Sequence, residues 1–187
     1  MPPPDIHPLL IEGPLSLCPW QESDSGDLLE AVRESIASVG RWLAWCHPGY
    51  ELADAQAWIA HCRESWQHGE QFAFAIRETD SHTLLGGVGL NQRNRQHRSA
   101  NLGYWIRRSR QGHGIAASAG RLAAAYGFAQ LELIRIDILT APDNLASRRT
   151  AERIGARFES MARHRLWTGT HAEDAAVYGL LPADLSP

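Results

Sequence analysis

The stretch Arg107-Arg108-Ser109-Arg110-Gln111-Gly112-His113-Gly114-Ile115-Ala116-Ala117 concentrates the residue types that hold an anion. Gly112 and Gly114 permit a tight turn and a close approach of ligand to backbone. Where such a turn opens a helix, its N–H groups point outward and the helix dipole favours negative charge. The arginines just upstream add guanidinium groups, which bind phosphate bidentately. A phosphate-bearing ligand is therefore expected to dock here. Gly112-His113-Gly114-Ile115-Ala116-Ala117 also satisfies the G-x-G-x-x-A dinucleotide fingerprint. That pattern wants an acidic residue about 20 positions on, at the end of the next strand. Glu132 precedes that strand and Asp137 lies in its middle, and too little chain remains for further βαβ units. A nicotinamide or flavin site is set aside on those grounds.

The elements that must position this turn are legible from periodicity. Leu102, Tyr104 and Ile106 alternate as in a strand, whereas Ile115, Ala119, Leu122, Tyr126 and Ala129 recur as on a helix. Upstream, 15–20 alternates, Leu28, Val32 and Ile36 mark a helix, and 41–45 forms an aromatic connector. A second helix carries Ala55, Trp58, Ile59, Cys62 and Trp66 to Gly69, followed by strands at 72–76 and 84–90 and a polar loop at 91–99. Downstream, a strand over 133–139 presents Ile134, Ile136 and Ile138 on one face, and a short helix capped by Asn144 ends at Gly155. A terminal hairpin, 158–167 with 175–181, turns at Thr168-Gly169-Thr170. These elements predict one mixed α/β domain over 15–182, preceded by a loose proline-rich arm at 1–14.

Composition removes several chemistries. All 18 basic residues are arginine, so neither a Walker-type phosphate loop nor a Schiff-base lysine is available. The net charge of −3 disfavours a nucleic-acid partner recruited by bulk charge. Cys18, Cys46 and Cys62 form no Cys-x-x-Cys pair and the nine histidines are scattered, so no metal site is expected. No apolar run approaches the roughly 18 residues of a membrane span, and the start lacks signal-peptide character; a cytoplasmic location is the default expectation.

Parsed one residue earlier, the turn reads Gln111-x-x-Gly114-x-Ala116, preceded by Leu102-Gly103-Tyr104-Trp105-Ile106. That arrangement resembles the acetyl-CoA pyrophosphate loop of the GNAT N-acetyltransferases. Further on, Asn144-x-x-Ser147-x-x-x-x-Glu152-x-x-Gly155-x-x-Phe158 resembles a second signature, from the branch of bacterial ribosomal-protein N-terminal (serine/alanine) acetyltransferases. That branch usually ends in Gly-Phe, whereas Ala156 and Arg157 intervene here. The resemblance spans about 15–182.

It implies a twisted, mostly antiparallel sheet whose central strand pair splays apart, flanked by helices. It also implies acetyl-CoA as cosubstrate, direct attack by a primary amine in a ternary complex, and a protein N-terminus or small amine as acceptor. The cofactor residues it implies are Tyr104, Trp105, Ile106, Arg107, Arg110, Gln111, Gly112, His113, Gly114, Ile115, Ala116, Asn144, Ser147 and Arg149. An N–H near Trp105 or Ile106 would polarise the thioester carbonyl. Asn144 would bond the pantetheine arm, and its other reading is a plain helix cap. Ser147 stands where relatives protonate the departing thiolate, although serine is a weak acid. Trp42 and Trp45 would face the acceptor, with Trp20 and Trp167 nearby. Relatives often carry Glu where this chain has Asn101, which leaves the general base unassigned among Glu78, Glu159 and His164. A catalytically silent CoA-binding sensor is the alternative, and a homodimer stays open.

Overall fold

The computed structural model describes residues 10–185. Eight strands form one sheet: β1 (Leu10–Glu12), β2 (Leu15–Pro19), β3 (Phe72–Glu78), β4 (Leu84–Asn94), β5 (Ser99–Ile106), β6 (Arg135–Thr140), β7 (Arg157–Trp167) and β8 (Ala172–Leu180). The spatial order is β1-β2-β3-β4-β5-β6-β8-β7. Every neighbouring pair is antiparallel except β5 and β6. Four α-helices complete the domain: α1 (Ser25–Ser35), α2 (Leu52–His68), α3 (Ile115–Gln130) and α4 (Leu145–Ile154).

The parallel pair controls the site. It is joined only at Ser99–Arg135, Ala100–Ile136 and Asn101–Asp137. Beyond Asn101, β5 keeps pairing with β4 up to Ile106, while β6 pairs with β8 up to Thr140. Each strand thus stays anchored on its outer side while the inner edges part. The splay expected from the family resemblance is present.

Two apolar clusters hold the layers. Leu17, Phe74, Ile76, Leu102, Ile136, Ile138 and Tyr178 meet Ala119, Ala123 and Ala124 of α3 and Ala151 and Ile154 of α4. The small residues of α3 let that helix lie close on the sheet. On the other face, Leu28, Ala31 and Val32 of α1 pack with Ala55, Ile59 and Cys62 of α2 over Ala73, Ala75 and Leu84. Each large aliphatic side chain removed from water contributes about 1.5–3 kcal/mol. Burial pushes the Cys62 thiol up to about 12, so it stays protonated, and the three cysteines are free.

Some boundaries moved. Residues 10–12, expected in a loose arm, pair with β2 as β1; the rest of that arm, 1–9, lies outside the described residues. The polar loop expected over 91–99 is mostly a strand extension, because polar side chains on a solvated hairpin still complete the backbone ladder. Ile134 does not share the buried face of Ile136 and Ile138. It precedes β6 and is 52% exposed, since Glu132 takes a left-handed turn (φ 53°) that re-aims the chain.

Candidate active site

The glycine turn lies where β5 hands the chain to α3, with Gly114 as the helix cap. Gly112 and Gly114 have φ of 83° and 77°, a region that side chains with a Cβ rarely adopt. A Cβ built on either would meet nothing within 4 Å, so the space above them is open. Among the described residues, no acceptor takes the N–H groups of Gly112, His113, Gly114, Ile115 or Ala116. Five consecutive donors therefore face an open surface at a helix start, which suits a pyrophosphate. Arg108 is exposed beside them. Arg110 is half exposed, and among the described residues its one carboxylate neighbour is Glu78 at 3.8 Å, a weak surface contact. A groove of about 370 Å³ lined by Glu78, Ser109, Arg110, His113 and Ile115 runs along the turn.

Arg107 is turned to another task. Its Nε and Nη2 donate to Glu34 at 3.0 and 2.7 Å, Nη2 also to Glu30 at 2.6 Å, and Nη1 to the Leu84 carbonyl at 3.2 Å. The residue is 9% exposed, and every guanidinium nitrogen is engaged within the protein. The expectation of Arg107 as a phosphate partner is corrected on that ground. Glu34 further accepts from the Ser109 N–H and Oγ, Ser35 Oγ from the Arg108 N–H, and Ser38 Oγ from Gln111. One stripe along α1 and its extension, Glu30, Glu34 and Ser38, thus rivets the entry of the turn. The Arg107 guanidinium holds the Glu34 carboxyl down at about 2.

The inner edge of β5 can be read from its partners. Arg107 N–H donates to Leu85 of β4, and Ala100 faces β6. Alternation then points the backbone groups of Leu102, Tyr104 and Ile106 into the splay and those of Trp105 back to β4. The Ile106 N–H rather than the Trp105 N–H is the donor available at the splay. Gln111 donates to the Ile106 carbonyl at 2.9 Å, tying the turn to this edge.

Tyr104 crosses the gap. Its hydroxyl lies 3.0 Å from the Ser147 carbonyl, to which it donates, and 3.2 Å from Ser147 Oγ. Burial pushes the Tyr104 phenol up to about 12, so it remains a neutral donor at physiological pH. Asn144 Oδ1 caps α4 by accepting from the Ser147 N–H at 3.1 Å. The capping reading of Asn144 is realised, and its NH₂ group remains for a ligand carbonyl. Arg148 is engaged by the Tyr178 hydroxyl and the Pro142 carbonyl, whereas Arg149 and Arg153 are exposed on α4.

On the other side of the splay, Trp45 packs edge-on against Trp105 at 5.5 Å and is 39% exposed. Trp42 is half-buried beneath Arg41, whose guanidinium reaches Asp143 at 3.6 Å. Gly169 at the hairpin tip approaches the Ala44 side chain, and Trp167 is 70% exposed. Trp20, expected near the acceptor, is instead 2% exposed and fills the α1–α2 core. Of the basic candidates, Glu159 is clamped by Arg135 Nη1 and Nη2 at 2.9 and 2.6 Å, which lowers its pKa. Glu78 accepts from the Ser81 hydroxyl and faces Arg110 at 3.8 Å. His164 is exposed at a bulge of β7. Asn101 donates to Asn91 at 2.9 Å, and no base stands there. Among the described residues there is no metal-ligand cluster and no helix long and apolar enough to cross a membrane.

An open sheet edge, an exposed run of N–H groups and a polar pair across the gap thus lie together at one end of the β5–β6 splay. Residues 15–157 match the family described as "Acetyltransferase (GNAT) domain", and the chain belongs to that family. It is an N-acetyltransferase with acetyl-CoA as cosubstrate. "Putative ribosomal N-acetyltransferase YdaF" of Bacillus subtilis is 37% identical over 163 residues, 86% of this chain and 87% of that protein. The "putative ribosomal-protein-serine acetyltransferase from Vibrio cholerae" superposes with a TM-score of 0.85 at 27% identity, covering 97% of this chain and all of the other. "RimL- Ribosomal L7/L12 alpha-N-protein acetyltransferase" in complex with coenzyme A shares the fold, with a TM-score of 0.85 at 19% identity over 94% and 98% of the two chains.

Proposed function

We propose that the chain moves the acetyl group to a primary amine, a protein N-terminus or a small amine, by direct attack while both substrates are bound. The observation that carries this reading is the splay itself, bridged by Tyr104 and Ser147 at 3.2 Å. The N–H groups of Gly112 to Ala116 hold the pyrophosphate, with Gln111 bracing the turn and Arg110 and Arg149 adding charge. The inner edge of β5 and the Asn144 amide pair with the pantetheine arm. The Ile106 N–H polarises the acyl carbonyl, and Ser147, oriented by Tyr104, delivers a proton to the departing sulfur together with water. The exposed ring of Trp45, with Trp42 half-buried beneath Arg41, lines the acceptor side. The cysteines take no part, since Cys46 and Cys62 are buried and Cys18 lies on β2. A soluble cytoplasmic setting, where acetyl-CoA and ribosomal N-termini coexist, suits this activity.

Thiol release measured against N-terminal peptides, amino acids and polyamines tests the reading. CoA release with at least one amine is expected, and Ser147→Ala should lower kcat by about tenfold at unchanged acetyl-CoA KM. Tight acetyl-CoA binding without turnover on any amine would leave the silent sensor instead.

A further inference from the structure

Helix α3 separates the pyrophosphate turn from a second cationic place at the opposite end of the sheet. Sixteen residues at 1.5 Å each put the two roughly 24 Å apart. There, at the β4–β5 hairpin, Arg93, Arg95 and Arg98 line an open basin of about 360 Å³ together with Leu131 and Glu132. The three guanidiniums are held rather than loose. Arg93 donates to the Gly69 and Leu131 carbonyls at 3.1 and 3.3 Å, spanning the ends of α2 and α3. Arg95 donates to the His68 carbonyl at 2.8 Å, and Arg98 Nε to the Glu132 carbonyl at 2.7 Å.

Those bonds leave several donors unused: Nε of Arg93, Nε and Nη1 of Arg95, and both Nη groups of Arg98. Among the described residues the buried Arg93 Nε has no hydrogen-bond partner. Among the described residues no carboxylate pairs with any of the three, although seven other arginines have such partners. Two helix C-termini supply roughly half a negative charge each, and Glu132 one more, against three positive charges. An excess of about one positive charge remains, in a protein whose net charge is −3. Compensation of the helix ends therefore accounts for only part of the cluster.

We propose that this basin is a second anion site, separate from the acetyl-CoA turn, and that it takes a phosphate group. Three anchored guanidiniums lining one basin suit the several acceptor oxygens of a tetrahedral phosphate. Calorimetric titration of inorganic phosphate into protein saturated with CoA tests it, since CoA masks the pyrophosphate turn. A matched-ionic-strength chloride titration supplies the baseline. Saturable binding is expected for the wild-type protein, weaker by roughly tenfold or more in the R95Q/R98Q variant. Glu132→Gln, which removes the one carboxylate of the basin, should tighten binding severalfold and guards against misreading a folding defect. Absence of saturable binding, or one affinity shared by all three proteins, would overturn the proposal.

Discussion

Gly114→Val is expected to raise the dissociation constant for acetyl-CoA by roughly a hundredfold or more while leaving the protein folded. The position has φ 77° and open space beyond its missing Cβ, so the substitution meets no clash inside the protein. It meets a backbone that a β-branched residue rejects, at about 1–2 kcal/mol. The turn relaxes and the run of N–H groups from Gly112 to Ala116 loses its common direction. Each charge-assisted bond lost is worth about 1.5–3 kcal/mol, so losing two exceeds the strain cost severalfold. The thermal midpoint should fall by only a few degrees. Calorimetric titration of acetyl-CoA reads the affinity, and an unchanged constant would put the pyrophosphate elsewhere.

Glu34→Gln carries the second large effect, and it arises from a residue that contacts no substrate. Glu34 accepts two bonds from Arg107 and two from Ser109, so it fixes the entry to the turn. Acetyl-CoA KM should rise by roughly tenfold at little change in kcat, as a loosened binding turn requires. Stability should also drop. The folded pKa of Glu34 is depressed from 4.5 to about 2, so its contribution is present above pH 4.5 and is lost as pH falls toward 2. The Glu34 side chain is 29% exposed, and solvent screening brings the contribution to about 1–2 kcal/mol. Denaturant midpoints for wild type and variant should therefore differ at pH 7 and converge only as pH approaches 2. A gap that persists at low pH would mean that Glu34 acts by packing rather than by charge.

These two residues mark what local sequence can and cannot carry. The glycine turn, its flanking strand and helix, and the Asn144–Ser147 cap are all local, and the structure has them where periodicity and capping chemistry placed them. The splay followed from the family resemblance and is visible in the three-residue β5–β6 register. Local sequence does not separate Arg107 from its neighbours Arg108 and Arg110, which are of the same type. Only topology delivers Glu34 and Glu30, which lie 73 and 77 positions away. Trp20 is similar: alternation fixes the face of a tryptophan but not whether two helices cover it, as α1 and α2 do here. The Tyr104–Ser147 contact likewise joins residues 43 positions apart, and nothing local in either segment announces the other.

Donor and acceptor are expected to meet in one complex, with no acetyl group resting on the protein. Initial velocities measured over a grid of acetyl-CoA and the best amine acceptor test it most directly. Double-reciprocal lines that intersect are predicted. Parallel lines, with an acetylated protein recovered after incubation with acetyl-CoA alone, would show instead that the acetyl group passes through the protein.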